Sequence, residues 1–302
     1  MPAFFLHLAG AERMAARAEL PMLFARAFGA APGALRLGAG LPDLPYFDQF
    51  ALQVARHFLG HVSFGNQWGI IFHARRTGTL ALAMLETFRR NHAWAASDAQ
   101  EQLALVGGYL CHHAFDVTIH PLVQDEVARD LRAGVREHPD ALHGRCEKWQ
   151  SLYFLEEETG RDVMGTTYPR ERVRSFPGAG GWRAQWPDSL LALVESACLE
   201  THARAPGRAQ WNRWLAGARM YGLLLSSPAG RREGLGRADR TLRVRYYERD
   251  GFRLREYVER AVGLAERYLG AANALLDARV VDESARTRFL EAVPDVDIGV
   301  GF

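Results

Sequence analysis

Lysine is almost missing from this sequence. Lys148 stands alone among 37 basic residues, and the rest are arginine. Guanidinium suits phosphate better than ammonium does, but arginine spread along the whole chain reads first as a compositional habit. Acidic residues number 35, so the net charge is only +2 and no basic coat for nucleic acid is present. Cysteine is scarce as well. Cys111, Cys146 and Cys198 are odd in number and lack C-x-x-C spacing, which excludes a disulfide framework and leaves burial as the expectation. No run approaches the roughly 18 apolar residues of a membrane span. The opening MPAFFLHLAGAERMAARAEL has no basic region ahead of its short apolar stretch, so it reads poorly as an export signal. The expectation is a cytoplasmic protein.

Alternating patterns are few too. TLRVRYYERDGFRL alone suggests a hairpin, turning at Asp250-Gly251. What remains is helical. LALAMLETFRR, QLALVGGYLCHHAFDV, DSLLALVESACLETHARA, WNRWLAGARMYGLLL and LREYVERAVGLAERYLGAANALLDA repeat apolar residues at three and four spacing. Loops are expected at Gly38–Pro45, Tyr168–Pro187 and Ser226–Gly236. The chain, 302 residues at 48% hydrophobic, can bury a full core without metal or disulfide. A single all-α domain over 1–302 is expected, because helices in 1–165 need those of 185–302 to cover their apolar faces. The C-terminal PDVDIGVGF carries no signal that decides whether it packs on the core.

Histidine placement is the most informative feature. In GYLCHHAFDVTIHP, His112, Asp116 and His120 fall at i, i+4 and i+8 and share one helix face. The row spans about 12 Å at 1.5 Å per residue. That is too long for one ion and suits two or three, with the middle carboxylate bridging. Pro121 is expected to end or kink the helix. His143 and Glu147 repeat the i, i+4 pattern; taken alone, such a pair is an ordinary surface contact. His73 falls at the start of an amphipathic helix, Asp43 in a Gly/Pro loop, and His7 near the N-terminus. Imidazole with carboxylate and no thiolate is the ligand set of hydrolytic zinc. His113 faces another side and reads as structural, as do His57, His61, His92, His138 and His202. Arg75 and Arg76 read as solvated helix charges.

These segments, in this order, resemble the zinc-dependent phospholipase C superfamily, which also contains single-strand nucleases. MPAFFLHLAG is similar to its opening, LGAGLPD to its aspartate loop, and GNQWGIIFHARRTG to its next histidine segment. GYLCHHAFDVTIHP is similar to its H-x-x-x-D-x-x-x-H-P helix and HGRCE to its closing pair. The resemblance covers roughly residues 1–165. It implies a multi-helix bundle around a polynuclear zinc site of two or three ions. One ion would take Asp43, His73, His112 and Asp116, a second His120, His143 and Glu147, and a third His7 with Asp116 bridging. Asp43 would also orient or deprotonate the attacking water. In secreted members the free amino terminus, usually tryptophan, completes the third site. Here, loss of Met1 would leave Pro2 as the terminus, five residues before His7. The short interval from Asp116 to His120 resembles a bacterial branch of the family. The implied function is hydrolysis of a small-molecule or lipid phosphodiester, with any membrane contact peripheral. The alternatives are a nuclease, disfavoured by the +2 charge, another reaction on the same site, or a non-catalytic helical module with structural metal.

Overall fold

The computed structural model describes residues 3–58, 66–91, 98–181, 183–234, 240–249 and 252–298. Among these the chain forms α1 (Ala3–Ala15), α2 (Met22–Ala30), α3 (Pro32–Gly40), a 3-10 helix (Leu41–Phe47), α4 (Phe50–Phe58), α5 (Gln67–Ala74), α6 (Thr77–Arg90) and α7 (Ala99–Arg132). Then follow α8 (Pro139–Thr159), α9 (Tyr168–Arg174), α10 (Asp188–His202), α11 (Arg208–Leu225), α12 (Pro228–Gly234), α13 (Arg240–Tyr246), α14 (Leu254–Asp277) and α15 (Glu283–Ala292). The all-α class holds. The only extended pairing among the described residues joins Glu248–Arg249 to Phe252–Arg253, antiparallel. The hairpin expected from TLRVRYYERDGFRL therefore shrinks to two residues a side, and most of its first arm is α13; Asp250-Gly251 lies outside the described residues. Tyr246 and Tyr247 are adjacent yet both buried, which a half-buried strand does not permit.

The bundle is built around α7. Every residue from Gln102 to Asp116 is buried, as expected of a helix surrounded on all sides. It packs against α1, α2, α3, α6, α8, α10 and α14. The second half of the chain lies on the first, with α10 against α6 and α14 against α7 and α1. Pro121 neither ends nor breaks α7, contrary to expectation. Its ring removes the single hydrogen bond to the Val117 carbonyl, while Val123 and Val127 beyond it are buried and hold the next turns in place.

Glycine lets α3 and α7 touch backbone to backbone. A Cβ at Gly38 would lie 1.9 Å from the Leu105 carbonyl oxygen, and one at Gly108 would lie 2.1 Å from that of Leu35. The glycines of LGAG, read as loop residues, thus lie in a packed helix. The Asp43 segment that follows is a 3-10 helix rather than an open loop, since Pro42 and Pro45 both carry helix-compatible φ. Helices α9 and α12 likewise interrupt the expected loops at Tyr168–Pro187 and Ser226–Gly236. Cys111, Cys146 and Cys198 are free and buried. Among the described residues no helix is long and apolar enough to cross a membrane.

Candidate metal centre

Five elements deliver eight side chains to one place. His7 comes from α1, Asp43 from the 3-10 helix and His73 from α5. His112, Asp116 and His120 come from α7, and His143 and Glu147 from α8. His73 does not open an amphipathic helix as expected. It sits in the last turn of α5, which Asn66 caps by accepting from the Trp68 amide at 2.9 Å. Arg75, extended, and Arg76, at φ 52°, then redirect the chain into α6. All eight side chains are buried, from 0% exposed at His112 to 8% at Asp43, His120 and Glu147. Burial on this scale is costly for charged groups unless something compensates them.

Asp116 is the hub. Its Oδ2 lies 2.9 Å from His112 Nε2 and 3.6 Å from His73 Nε2, and its Oδ1 lies 3.1 Å from His7 Nε2 and 3.5 Å from His120 Nε2. One carboxylate thus faces imidazoles from three helices, one oxygen toward each end of the row. Asp43 Oδ1 is 3.4 Å from His73 Nε2. Glu147 Oε1 is 2.9 Å from His143 Nε2 and 3.3 Å from His120 Nε2. Three groups of donor atoms each lie within 4.8 Å of one another: Asp43, His73 and His112; His7, His112 and Asp116; and His120, His143 and Glu147.

The outer nitrogens show which way the rings present themselves. His73 Nδ1 lies 2.7 Å from the Gly69 carbonyl, His112 Nδ1 lies 2.8 Å from that of Ala39, and His120 Nδ1 meets that of Ile298. A carbonyl can only accept, so each Nδ1 carries a proton, and each ring, once its Nε2 is deprotonated, offers that lone pair inward. His73 and His112 then point Nε2 at Nε2 across 3.3 Å. Asp43 Oδ2 and Asp116 Oδ2 are buried without a hydrogen-bond partner. Facing lone pairs and partnerless carboxylate oxygens are a donor set that a cation would satisfy, and zinc accepts this mixture of N and O.

Electrostatics agree. Burial would raise the Asp116 carboxyl, but the charges of His112, His120 and His7 outweigh it and hold it well below the usual range. Glu147 is held well below its range against burial, chiefly by His143. Burial would lower His120, yet Asp116 and Glu147 push it up to about 9.

The zinc-dependent phospholipase C family model matches residues 6–189. The chain belongs to that family. No curated protein and no solved structure matches it. Membership in a zinc-dependent phospholipase C family implies a hydrolase that acts on a phosphodiester.

The remaining histidines are placed elsewhere. His113 Nε2 donates to the Pro294 carbonyl at 3.1 Å and to Thr77 Oγ1 at 3.0 Å, joining α7 to α6 and the C-terminal segment. His138 is exposed and caps α8, and His202 ends α10. The side chain of His57, and all of His61 and His92, lie outside the described residues, as does Pro2. Arg75 is exposed, whereas Arg76 donates to the Thr201 carbonyl at 2.8 Å and so ties α6 to α10.

Two residues at the candidate centre carried no signal in the sequence. Gln150, one turn beyond Glu147 on α8, is 1% exposed with both amide atoms partnerless. It lines a small pocket with Leu6, His7, Asp116, Ile119, His120 and Glu147. Tyr46 lies with its ring 5.7 Å from that of His73. Burial, then Asp43, Glu147 and Asp116, push its phenol far above the usual range, so it stays a hydrogen-bond donor. The spacing of Gln150 and Tyr46 from the histidines matches a helix face only after the helices are known.

Proposed function

We propose that this chain hydrolyses a phosphodiester in the manner of a phospholipase C, as one helical domain, at a centre of two or three zinc ions. The observation that carries the reading is the gathering of eight buried donors into three adjoining groups, four of them imidazoles around Asp116, with three rings turned inward by backbone carbonyls. Asp43, His73, His112 and Asp116 would hold one ion, and His120, His143 and Glu147 a second. His7 with Asp116 is the start of a third, which Pro2 would complete as the terminus. Bound there, zinc supplies Lewis acidity toward the phosphate oxygens and toward water.

The chain's own groups do the rest. Asp43 Oδ2, partnerless at the edge of the donor set, accepts the proton of the attacking water and orients it toward phosphorus. Asp116 keeps four imidazoles in register through its two oxygens. The Tyr46 phenol donates to an anionic oxygen brought near Asp43. The substrate is a lipid or smaller phosphodiester, reached by peripheral contact if it lies in a membrane, and the protein works in the cytoplasm.

The test is metal content per chain by elemental mass spectrometry, on protein purified without chelator, followed by turnover of a panel of phosphodiesters and phospholipid vesicles. Two or three zinc ions with release of a phosphorylated head group support the reading. Zinc with turnover of single-stranded nucleic acid alone would move it to a nuclease. Zinc fully enclosed by protein ligands, without turnover, would make the metal structural. Absence of zinc even after its addition would remove the hydrolase reading.

A further inference from the structure

The family match ends at residue 189, yet the metal centre is closed by residue 298. After α15 the chain runs back over α6 in an irregular segment, 293–298, pinned at several points. The Val293 carbonyl seats against Gly78, where a Cβ would lie 2.0 Å from it. The Asp295 carboxylate accepts from the Thr79 amide at 2.7 Å and from Thr79 Oγ1 at 2.6 Å, in the first turn of α6, where an anion is favoured. Thr77 Oγ1 donates to the Val296 carbonyl at 3.0 Å. Ile298 is 1% exposed. Its amide donates to the His73 carbonyl at 2.7 Å, and its own carbonyl accepts from His120 Nδ1. One peptide residue thereby joins α5 to α7 across the two ends of the donor row.

We infer that Ile298 is a positioning residue for His120 and His73, and that the 293–298 segment is a built part of the metal centre. The inference rests on the zinc reading above. Its physical content is the tautomer of His120. With the Ile298 carbonyl in place, Nδ1 holds the proton and Nε2 faces Asp116 and Glu147. Without it, the ring is free to turn or to protonate at Nε2, and the group of His120, His143 and Glu147 loses its preset geometry. Acceptors of this kind behind a metal-binding histidine are worth about ten- to a hundredfold in metal affinity.

A chain ending at Asp297 keeps the Thr77 and Thr79 anchors and removes Ile298. Zinc affinity is measured by competition with a chelator, and the visible spectrum is recorded with cobalt(II) in place of zinc. The expected result is a loss of about ten- to a hundredfold in affinity for the ion that His120, His143 and Glu147 would hold and an altered cobalt spectrum. The far-UV circular dichroism should match that of the intact chain, with the metal-free melting temperature lowered by the loss of the buried Ile298. Equal affinity and an unchanged cobalt spectrum in the shortened chain would overturn the role of Ile298 while leaving the zinc reading standing. An intact chain that takes up neither metal would overturn both. If the shortened chain fails to fold, Asp295→Ala decides the matter, since it frees the segment from Thr79 and leaves every buried group in place. It should weaken zinc in the same direction, and unchanged affinity in it would overturn the role.

Discussion

His73 and His112 aim Nε2 at Nε2 across 3.3 Å, each with its Nδ1 already committed to a backbone carbonyl. Two lone pairs cannot face each other so closely. Either a proton or a cation lies between them. In the absence of metal the proton goes to His73, held above the usual imidazole range by Asp43 and Asp116 against burial, while burial keeps His112 below it.

Zinc binding therefore competes with protons. His120, pushed up to about 9, is charged at pH 7 and must lose its proton to become a ligand. Zinc affinity should rise with pH between 7 and 9 and flatten above that. Calorimetric titration at pH 7 in two buffers of different ionisation enthalpy should show about one or more protons released per chain. A heat independent of buffer would contradict the assignment of His120.

Asp116→Asn removes the charge that both ends of the row share. Metal content and phosphodiesterase activity should fall together, with at least one ion lost per chain by elemental analysis. If the variant kept both, the bridging role would be wrong.

Gln150 is buried with neither amide atom partnered, which costs about 1–3 kcal/mol. Gln150→Leu should raise the melting temperature of the metal-free chain and lower turnover on any phosphodiester the intact protein cleaves. A variant that melts lower would show that the amide is satisfied in the free protein.

The contact of α3 with α7 also carries function, because the Ala39 carbonyl that holds His112 lies on α3. Gly108→Ala would drive a methyl group against the Leu35 carbonyl. We expect a loss of about 1–3 kcal/mol in denaturant unfolding, accompanied by weaker zinc binding. Gly270→Ala, on an exposed turn of α14 with nothing within 4 Å of the added Cβ, should instead stabilise by roughly 0.5–1 kcal/mol.

The row of His112, Asp116 and His120 was legible because four-residue spacing has only one meaning on a helix. His143 and Glu147 were legible as a pair for the same reason, but not as partners of that row, since nothing local says which helices meet. His7, Asp43 and His73 came through resemblance alone; each is a single residue in a segment with its own structural excuse. The acceptors behind the rings left no trace. Gly69, Ala39 and Ile298 contribute carbonyls, which every residue owns. The misread segments share one cause. At Pro121, at Leu41–Phe47 and at Arg240–Tyr246, local preference points to a break, a loop and a strand. Packing against buried neighbours decides otherwise.

The carbonyl of Ile298 also sets an order of events during synthesis. Chains leave the ribosome from the N-terminus and begin to fold as they emerge. His7 through Glu147 are all made before residue 298, so the His120 ring is without its carbonyl acceptor until that residue is in place. The His120 end of the donor row is therefore completed after all of its side chains, once residues 293–298 lie across α6.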